Sequence, residues 1–281
     1  MIIDYYGLSE IGPVREDNQD TIRLPDRSSN SQPGTLFGIA DGMGGYSHGG
    51  LASSLALEAL YSVYHQANNP QKMPRILQRG VEAANLAVVN EARRQAIQKM
   101  GTTLTALALD PMSGRGGKNQ LHLAHVGDSR AYLVRKKKVT CLTNDHTVVG
   151  DLLRMRVLTP DQVRTHARRS VLTRAVGLAL FVQPEFTSIE LHEDDRLILC
   201  TDGLWAAVPD EEFERIAQNE NNMERMCKNA IELALENDSD DNLSVISIHI
   251  QSLDQVSNNG KSQKSWLQRI FSNGKTNHHG D

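Results

Sequence analysis

Apolar and polar positions alternate along the chain with two different periods, which predict helices in some regions and strands in others. From about Gly50, apolar residues recur with the 3.6-residue period of an amphipathic helix, and a second segment with this period follows. The second apolar face comprises Ile76, Leu77, Gly80, Val81, Ala84, Ala87 and Val88. Residues 21–40 contain two short apolar segments around a Ser, Asn, Pro and Gly cluster, which predicts a hairpin with a long loop.

From residue 101 the apolar period shortens to two residues, as is typical of strands. Four such segments follow one another: TTLTALAL, QLHLAHV, RAYLV and VTCL. Their connections are rich in Gly and Lys, and we expect the four strands to form one antiparallel meander. The next segment, about 145–180, is rich in arginine and weakly periodic, which predicts a surface subdomain inserted between strands.

Two strands, two helices and a final strand are predicted after the inserted segment. EFTSIEL and DRLILCTDG have strand patterns, Pro209-Asp210 opens a helix, MERMCKNAIELALEN has a helical pattern, and NLSVISIHI is the last strand. Helices therefore come in pairs and strands in antiparallel runs. This order favours an α+β fold, with helices outside antiparallel sheets, over a wound parallel sheet.

The sequence predicts one domain over residues 1–252 and a polar, disordered tail over residues 253–281. The tail has low hydrophobicity and more basic than acidic side chains. The alternative is a short docking helix, because the tail contains two apolar i, i+4 pairs: Trp266 with Ile270, and Leu267 with Phe271.

Composition and charge narrow the class of protein. The chain has 281 residues, 39% of them hydrophobic, and its formal charge of -4 comes from well-mixed basic and acidic side chains. Such a charge pattern gives no sign of nucleic-acid binding. The sequence has no leader pattern and no apolar run of about 20 residues, so we expect a cytoplasmic protein without a transmembrane segment. Cys141, Cys200 and Cys227 are far apart, which argues against disulfides and zinc sites.

Four aspartates stand at the end or start of an apolar strand pattern: Asp20, Asp41, Asp202 and Asp241. Strand ends are rigid, so carboxylates on them can be aimed at one point. Converging carboxylates repel one another, and a divalent cation removes that repulsion. Oxygen ligands without His or Cys select Mg²⁺ or Mn²⁺, and Gly42, directly after Asp41, would let a backbone carbonyl approach the ion.

Each of these positions also has an ordinary structural explanation. A single Asp-Gly at a strand end is usually a turn. The stretch DGMGGYSHGG follows a strand and opens a helix like a nucleotide-phosphate loop, but it lacks the third glycine of the dinucleotide fingerprint and any following Gly-Lys-Ser/Thr. The metal prediction therefore depends on the four aspartates together.

Eight motifs in order resemble those of the metal-dependent PP2C-type serine/threonine phosphatases, in their compact bacterial form. They are VREDNQD (14–20), IADGMGG (39–45), GTTLTAL (101–107), HVGDSRAYL (125–133), LTNDHT (142–147), SVLTRAVG (170–177), LCTDGLW (199–205) and DDNLSV (240–245). The resemblance covers roughly residues 1–252. It implies a four-layer α/β/β/α sandwich, two antiparallel sheets flanked by helix pairs, with a two-metal centre at one end and a flap at about 145–180.

The resemblance also implies the ligands of that centre. Asp41 would bridge two Mn²⁺ or Mg²⁺ ions. Asp202 and Asp241 would complete the first ion's protein ligands. The Gly42 carbonyl and, directly or through water, Asp20 would hold the second ion.

Further matched positions concern a third ion and the substrate. Asp128 matches an additional metal position, Arg15 matches the arginine that binds the substrate phosphate, and the flap residue His166 would meet the phosphopeptide. Many eukaryotic relatives have a histidine where this chain has Met43. The proton donor for the leaving group is therefore open between a metal-bound water and His48.

The activity that the resemblance implies is hydrolysis of phosphoserine and phosphothreonine in proteins, by direct attack of a metal-bridging hydroxide. Its partners would be phosphorylated proteins, including substrates of a Ser/Thr kinase, and the chain would be a monomer. Two rival classes are a phosphatase-like binding module and another two-metal hydrolase, such as a nuclease or pyrophosphatase. The retained metal-site acids argue against the first rival, and the lack of a basic groove pattern argues against a nuclease.

Overall fold

The computed structural model describes residues 1–25, 35–43, 48–67, 73–111, 117–159, 162–163 and 166–253. Within them the strands form two antiparallel sheets. The first has the order β1-β11-β10-β7-β8, formed by Ile2–Glu10, Leu243–Ser252, Arg196–Cys200, Arg130–Arg135 and Lys138–Cys141. The second has the order β2-β3-β5-β6-β9, formed by Asp20–Arg23, Thr35–Met43, Leu104–Asp110, Gln120–Val126 and Glu185–Glu190, with the short β4 (Gly101–Thr102) beside β3.

Helices cover the outer faces of both sheets. A pair packs on the second sheet, α1 (His48–His65) and α2 (Met73–Arg94), and a pair packs on the first, α5 (Asp210–Asn219) and α6 (Met223–Glu236). A third apolar core fills the space between the sheets. β5 is buried along its whole length because helices lie on one of its faces and the other sheet on the opposite face. The predicted α+β sandwich of four layers is confirmed.

Two shorter helices lie near one end of the sandwich. α3 (Val148–Arg154) begins inside the predicted flap, where the Thr147 hydroxyl accepts a hydrogen bond from the Gly150 N–H. α4 (Asp202–Trp205) directly follows β10. None of the helices in the described ranges is both long and apolar enough to cross a membrane.

The predicted four-strand meander is wrong. β5 pairs with β6 and β7 pairs with β8, but β6 and β7 belong to different sheets. The chain changes sheets at Gly127, whose φ of +111° and close contact with Thr103 exclude a side chain. Strand alternation does not reveal such a crossing, because both strands have one face toward the same inter-sheet core. The crossing brings Asp128 to the end of the sandwich.

Most predicted elements are found where the sequence pattern indicated. β2 and β3 form the predicted hairpin, while its loop (26–34) lies outside the described residues. The predicted tail also lies outside them from residue 254 onward, so both tail hypotheses stay predictions. The boundaries of the domain and the flap stay predictions as well.

Candidate metal centre

A cavity of ≈ 790 Å³ opens at the end of the sandwich where the predicted acids lie. The residues predicted for the site that line it are Arg15, Asp41, Gly42, Asp128, Asp202 and Asp241. Antiparallel pairing places Asp20 opposite Asp41 on neighbouring strands. Asp202 starts the helix after β10, and Asp241 precedes β11, which is the neighbour of β10. Strand pairing thus forms one pair of carboxylates in each sheet, and the packing of the two sheets brings Asp20 near Asp241, 221 residues away in the sequence.

The carboxylates lie close enough to perturb one another. Burial raises the pKa of Asp41 well above its usual range, and the charges of Asp202, Asp20 and Asp128 raise it further. Burial and the charge of Asp241 likewise raise the pKa of Asp202. Burial raises the pKa of Asp20 to about 7, although the Thr201 hydroxyl donates to its Oδ2 at 2.8 Å.

Two observations indicate that the acidic cavity fits a bound cation: the raised pKa values of its carboxyl groups, and buried carboxylate oxygens without a partner in the described chain. The Oδ1 atoms of Asp20 and Asp202 are buried and have no hydrogen-bond partner within the described chain. A positive ion would satisfy such oxygens and reverse the pKa increases. No group of three or more Asp, Glu, His or Cys side chains in the described ranges is already arranged to hold an ion. Two carboxylates per ion are nevertheless compatible with Mg²⁺, because this ion keeps several water ligands and also accepts backbone oxygens.

Arg15 lies at the mouth of this cavity. Its Nη2 donates to Asp241 Oδ2 at 2.7 Å, and its Nε donates to the Asp240 carbonyl at 3.2 Å. Half of the Arg15 side chain is exposed, so the ion pair itself contributes little to stability. The contacts hold a guanidinium beside the acids with part of its surface open to a ligand.

Two glycines let backbone segments approach closely beside Asp41. A Cβ on Gly42 would overlap the Gly49 carbonyl oxygen and would lie 2.7 Å from the Gln19 carbonyl oxygen. A Cβ on Gly49 would lie 2.6 Å from the Gly42 oxygen. The glycines of IADGMGG and the following helix therefore serve close packing at the cavity wall.

A network that the sequence reasoning missed supports Asp128. The indole Nε1 of Trp205 donates to the Asp128 carbonyl at 2.9 Å. The Arg130 guanidinium lies 3.5 Å from the Trp205 ring centroid, and Asp145 accepts two hydrogen bonds from it, at 3.0 and 2.7 Å. These residues belong to the recognised motifs GDSR, DGLW and NDHT, but their mutual contacts depend on tertiary structure.

Two buried histidines also support the turn before Asp128. The Gly127 N–H donates to His146 Nδ1 at 3.2 Å, and the His146 and His125 rings lie 4.8 Å apart. The pKa of both imidazoles is lowered to about 4, chiefly by burial, and the nearby His146 contributes to the lowering for His125. Sequence reasoning did not single out either residue.

The two histidines that were singled out do not line the cavity. His166 accepts a hydrogen bond from the Arg168 N–H, and the described flap residues that line the cavity are Ser170, Leu172 and Leu178. His48 starts α1 and is not among the described lining residues, whereas Met43 is. The roles of His166 in substrate binding and of His48 in proton donation stay predictions without support from these contacts.

A helix-flanked sandwich of two sheets with clustered carboxylates at one end is an architecture suited to metal-dependent hydrolysis. The model of the family described as protein phosphatase 2C matches residues 5–243. The chain belongs to this family.

Curated relatives include bacterial serine/threonine phosphatases. The chain is 33% identical over 247 residues to the serine/threonine protein phosphatase PstP of Mycobacterium tuberculosis. This alignment covers 88% of this chain and 45% of PstP. It is 29% identical over 239 residues to the serine/threonine phosphatase Stp of Listeria welshimeri, which covers 84% of this chain and 91% of Stp. The chain thus spans less than half the length of PstP and most of the length of Stp.

Solved structures agree with the sequence relationships. A crystal structure of M. tuberculosis PstP superposes with a TM-score of 0.79 at 31% identity, covering 90% of this chain and 100% of that one. The PstP catalytic domain in complex with two manganese ions superposes with a TM-score of 0.75 at 30% identity, covering 89% and 99%.

Proposed function

We propose that this chain is an active, metal-dependent phosphoprotein phosphatase that hydrolyses phosphoserine and phosphothreonine. The observation that carries the proposal is the cavity in which buried aspartates raise one another's pKa beside an arginine. Without cations, a cluster of this kind is electrostatically unfavourable. Bound divalent ions would relieve the repulsion and would serve phosphate hydrolysis. Family membership and the manganese complex of the related PstP domain support the same activity.

The proposed ligands of the ions are donors that line the cavity, together with Asp20, which pairs with Asp41 on the neighbouring strand. We assign Asp41 as the shared ligand, Asp202 and Asp241 to one Mn²⁺ or Mg²⁺ ion, and the Gly42 carbonyl and Asp20 to the other. The buried, unpartnered oxygens of Asp20 and Asp202 support their inclusion. Asp128 is proposed for a third ion, and its place in the cavity wall supports this role.

When bound, the divalent ions supply Lewis acidity and lower the pKa of a water nucleophile toward about 7. Arg15 binds two phosphoryl oxygens through its planar donor fork, which orients the phosphorus. Asp241 holds Arg15 in place at 2.7 Å until the substrate arrives. Met43 at the cavity wall cannot donate a proton, so no side chain at that position protonates the leaving group.

The finer assignments are part of this proposal. Residues 1–252 form the catalytic domain, the segment 145–180 is its flap, and the polar tail is dispensable for catalysis. The substrates are phosphoproteins of a Ser/Thr kinase, and the chain acts as a monomer in the cytoplasm. His166 contacts the phosphopeptide only if the flap moves toward the cavity.

The test is phosphate release from a phosphothreonine peptide, measured with Mn²⁺, with chelator, and for Asp41→Asn. We expect metal-dependent release that Asp41→Asn abolishes, and we expect Mn²⁺ to raise the melting temperature of the parent only. Asp4→Asn, which changes an exposed carboxylate of β1, is the matched control and should behave as the parent. A folded parent that binds Mn²⁺ but releases no phosphate would favour the binding module instead.

A further inference from the structure

A second cavity, of ≈ 420 Å³, adjoins the candidate metal centre. Asp128, Asp202 and Asp241 line both cavities, so the two cavities adjoin along these acids. A substrate with its phosphate at the centre therefore has direct access to the second cavity. No role in the proposed hydrolysis requires this additional space.

Apart from its acids, the second cavity has apolar and polar walls: five apolar residues line it beside Arg169, Ser170, Asn237 and Ser239. The apolar residues are Val149 and Val163 from the flap, and Trp205, Ala206 and Ala207 at the end of α4 and directly after it. Val149 and Val163 are almost fully buried, with 2% and 7% of their surface exposed. An apolar side chain that displaces water from these apolar residues binds favourably, because apolar surface is removed from water.

The outer rim makes acidic occupants unfavourable. Asp238 and Asp240 are exposed and line the cavity, and Arg169 is the single cationic residue among its described lining. The carboxylates of the metal centre add further negative charge on the inner side. An acidic side chain would therefore meet more negative than positive charge, whereas a neutral apolar one would meet no such opposition.

We propose that this cavity is a specificity subsite that binds an apolar side chain flanking the phosphorylated residue of the substrate. The inference rests on the proposed phosphatase function and adds the substrate class. Substrates with a Leu- or Phe-sized residue at that flanking position are preferred over those with alanine, and those with an acidic residue are the poorest. The flap and the end of α4 thus select the substrate together.

The test uses phosphothreonine peptides with Ala, Leu, Phe or Asp at each of three positions on either side of the phosphothreonine. We expect one position where Leu or Phe raises kcat/KM roughly tenfold over Ala, since apolar pockets discriminate by this order. At that position Asp should give the lowest kcat/KM. Turnover of p-nitrophenyl phosphate with Mn²⁺ is measured in parallel, because this small substrate reports the metal centre without a flanking residue.

Ala206→Phe fills the subsite without disturbing the backbone. Ala206 is exposed and has φ −76° and ψ −33°, a conformation that any L residue adopts. We expect the ratio of kcat/KM between the Leu and Ala peptides to fall toward one. Ala206→Ser keeps the space open and should retain the ratio, as should Ala83→Phe, which places the same side chain on α2, away from the cavity.

The outcomes separate the two proposals. A preference that survives Ala206→Phe, or the absence of any apolar preference in an active parent, overturns the subsite. Absence of metal-dependent turnover of every peptide and of p-nitrophenyl phosphate overturns the phosphatase function, and the subsite with it.

Discussion

The buried pair His125 and His146 predicts a loss of stability at mildly acidic pH. Their pKa values, lowered by burial to about 4, mean that the folded state requires neutral imidazoles. His146 accepts a hydrogen bond from the Gly127 N–H through Nδ1, and a protonated ring has no lone pair with which to accept it. Protonation of His146 therefore opposes both burial and the turn that carries Asp128.

The sign and size of the effect follow from linkage. An unfolded histidine has a pKa of about 6.5, so below this pH the unfolded state binds more protons than the native state does. Stability is therefore complete above pH 6.5 and is lost as the pH falls toward the folded pKa. For His146 alone, a folded pKa of about 4 gives a loss of about 2.5 kcal/mol between pH 7 and pH 4.5.

His146→Gln removes this contribution, together with the effect of His146 on the pKa of His125. The glutamine amide has no proton to gain in this range, and its oxygen can accept a hydrogen bond as Nδ1 does. The free energy of unfolding is measured in urea at pH 7 and pH 4.5, with chelator present so that metal binding does not contribute. We expect the variant to lose about 2.5 kcal/mol less than the parent over this interval. His192→Gln, at an exposed histidine, is the control and should lose as much as the parent.

The carboxylates of the metal centre affect the parent and the variant alike, so they cancel in the difference. Equal losses in the parent and in His146→Gln would show that His146 is not held neutral, and would refute the argument from burial. A variant that is already destabilised at pH 7 by more than about 3 kcal/mol would show that glutamine does not replace the hydrogen bond.

Three further predictions concern the cavity wall and the ligands around it. Gly42→Ala should lower the free energy of unfolding by about 2 kcal/mol, because its Cβ overlaps the Gly49 oxygen. Gly50→Ala in α1 should raise the free energy of unfolding by about 0.5 kcal/mol, because the nearest neighbouring atom would lie 3.5 Å from the new Cβ. Urea unfolding of both variants checks the opposite signs. Trp205→Phe removes the indole N–H that donates to the Asp128 carbonyl at 2.9 Å, and should lower the free energy of unfolding by about 1 kcal/mol. It should also weaken Mn²⁺ binding, measured as the shift in melting temperature with Mn²⁺ concentration. An unchanged titration would contradict a role of Trp205 in positioning Asp128. Arg15→Lys keeps the charge but loses the two-pronged geometry, so KM for a phosphopeptide should rise about tenfold with little change in melting temperature.

The elements themselves were largely predictable. The 3.6-residue period over residues 51–63 and 76–88 indicated the two helices that the structure has as α1 and α2. Pro209-Asp210 marked the start of α5. These signals are local, because period and capping depend on residues within a few positions of each other.

Strand partners were less predictable. The segments that form β6 and β7 alternate as hairpin partners do, yet the structure puts them in separate sheets. Alternation reports only that one face of a strand is buried, and the inter-sheet core buries one face of both strands equally well. The turn at Gly127 decides the outcome through its left-handed backbone, for which a glycine in a sequence is only weak evidence.

The sequence by itself determined which side chains could do the chemistry: the aspartates at strand ends, the glycine after Asp41, and the arginine of VREDNQD. Tertiary structure decided which of them meet. It brought Asp41, Asp202 and Asp241 into one cavity, left His166 outside it, and added the contact from Trp205 to Asp128. The physical reason is the separation of the interacting residues along the sequence. Periodicity and turn chemistry depend on neighbouring residues. Convergence of charges, burial of an imidazole and the shape of a cavity depend on strands that are far apart in the sequence, such as β1 and β11.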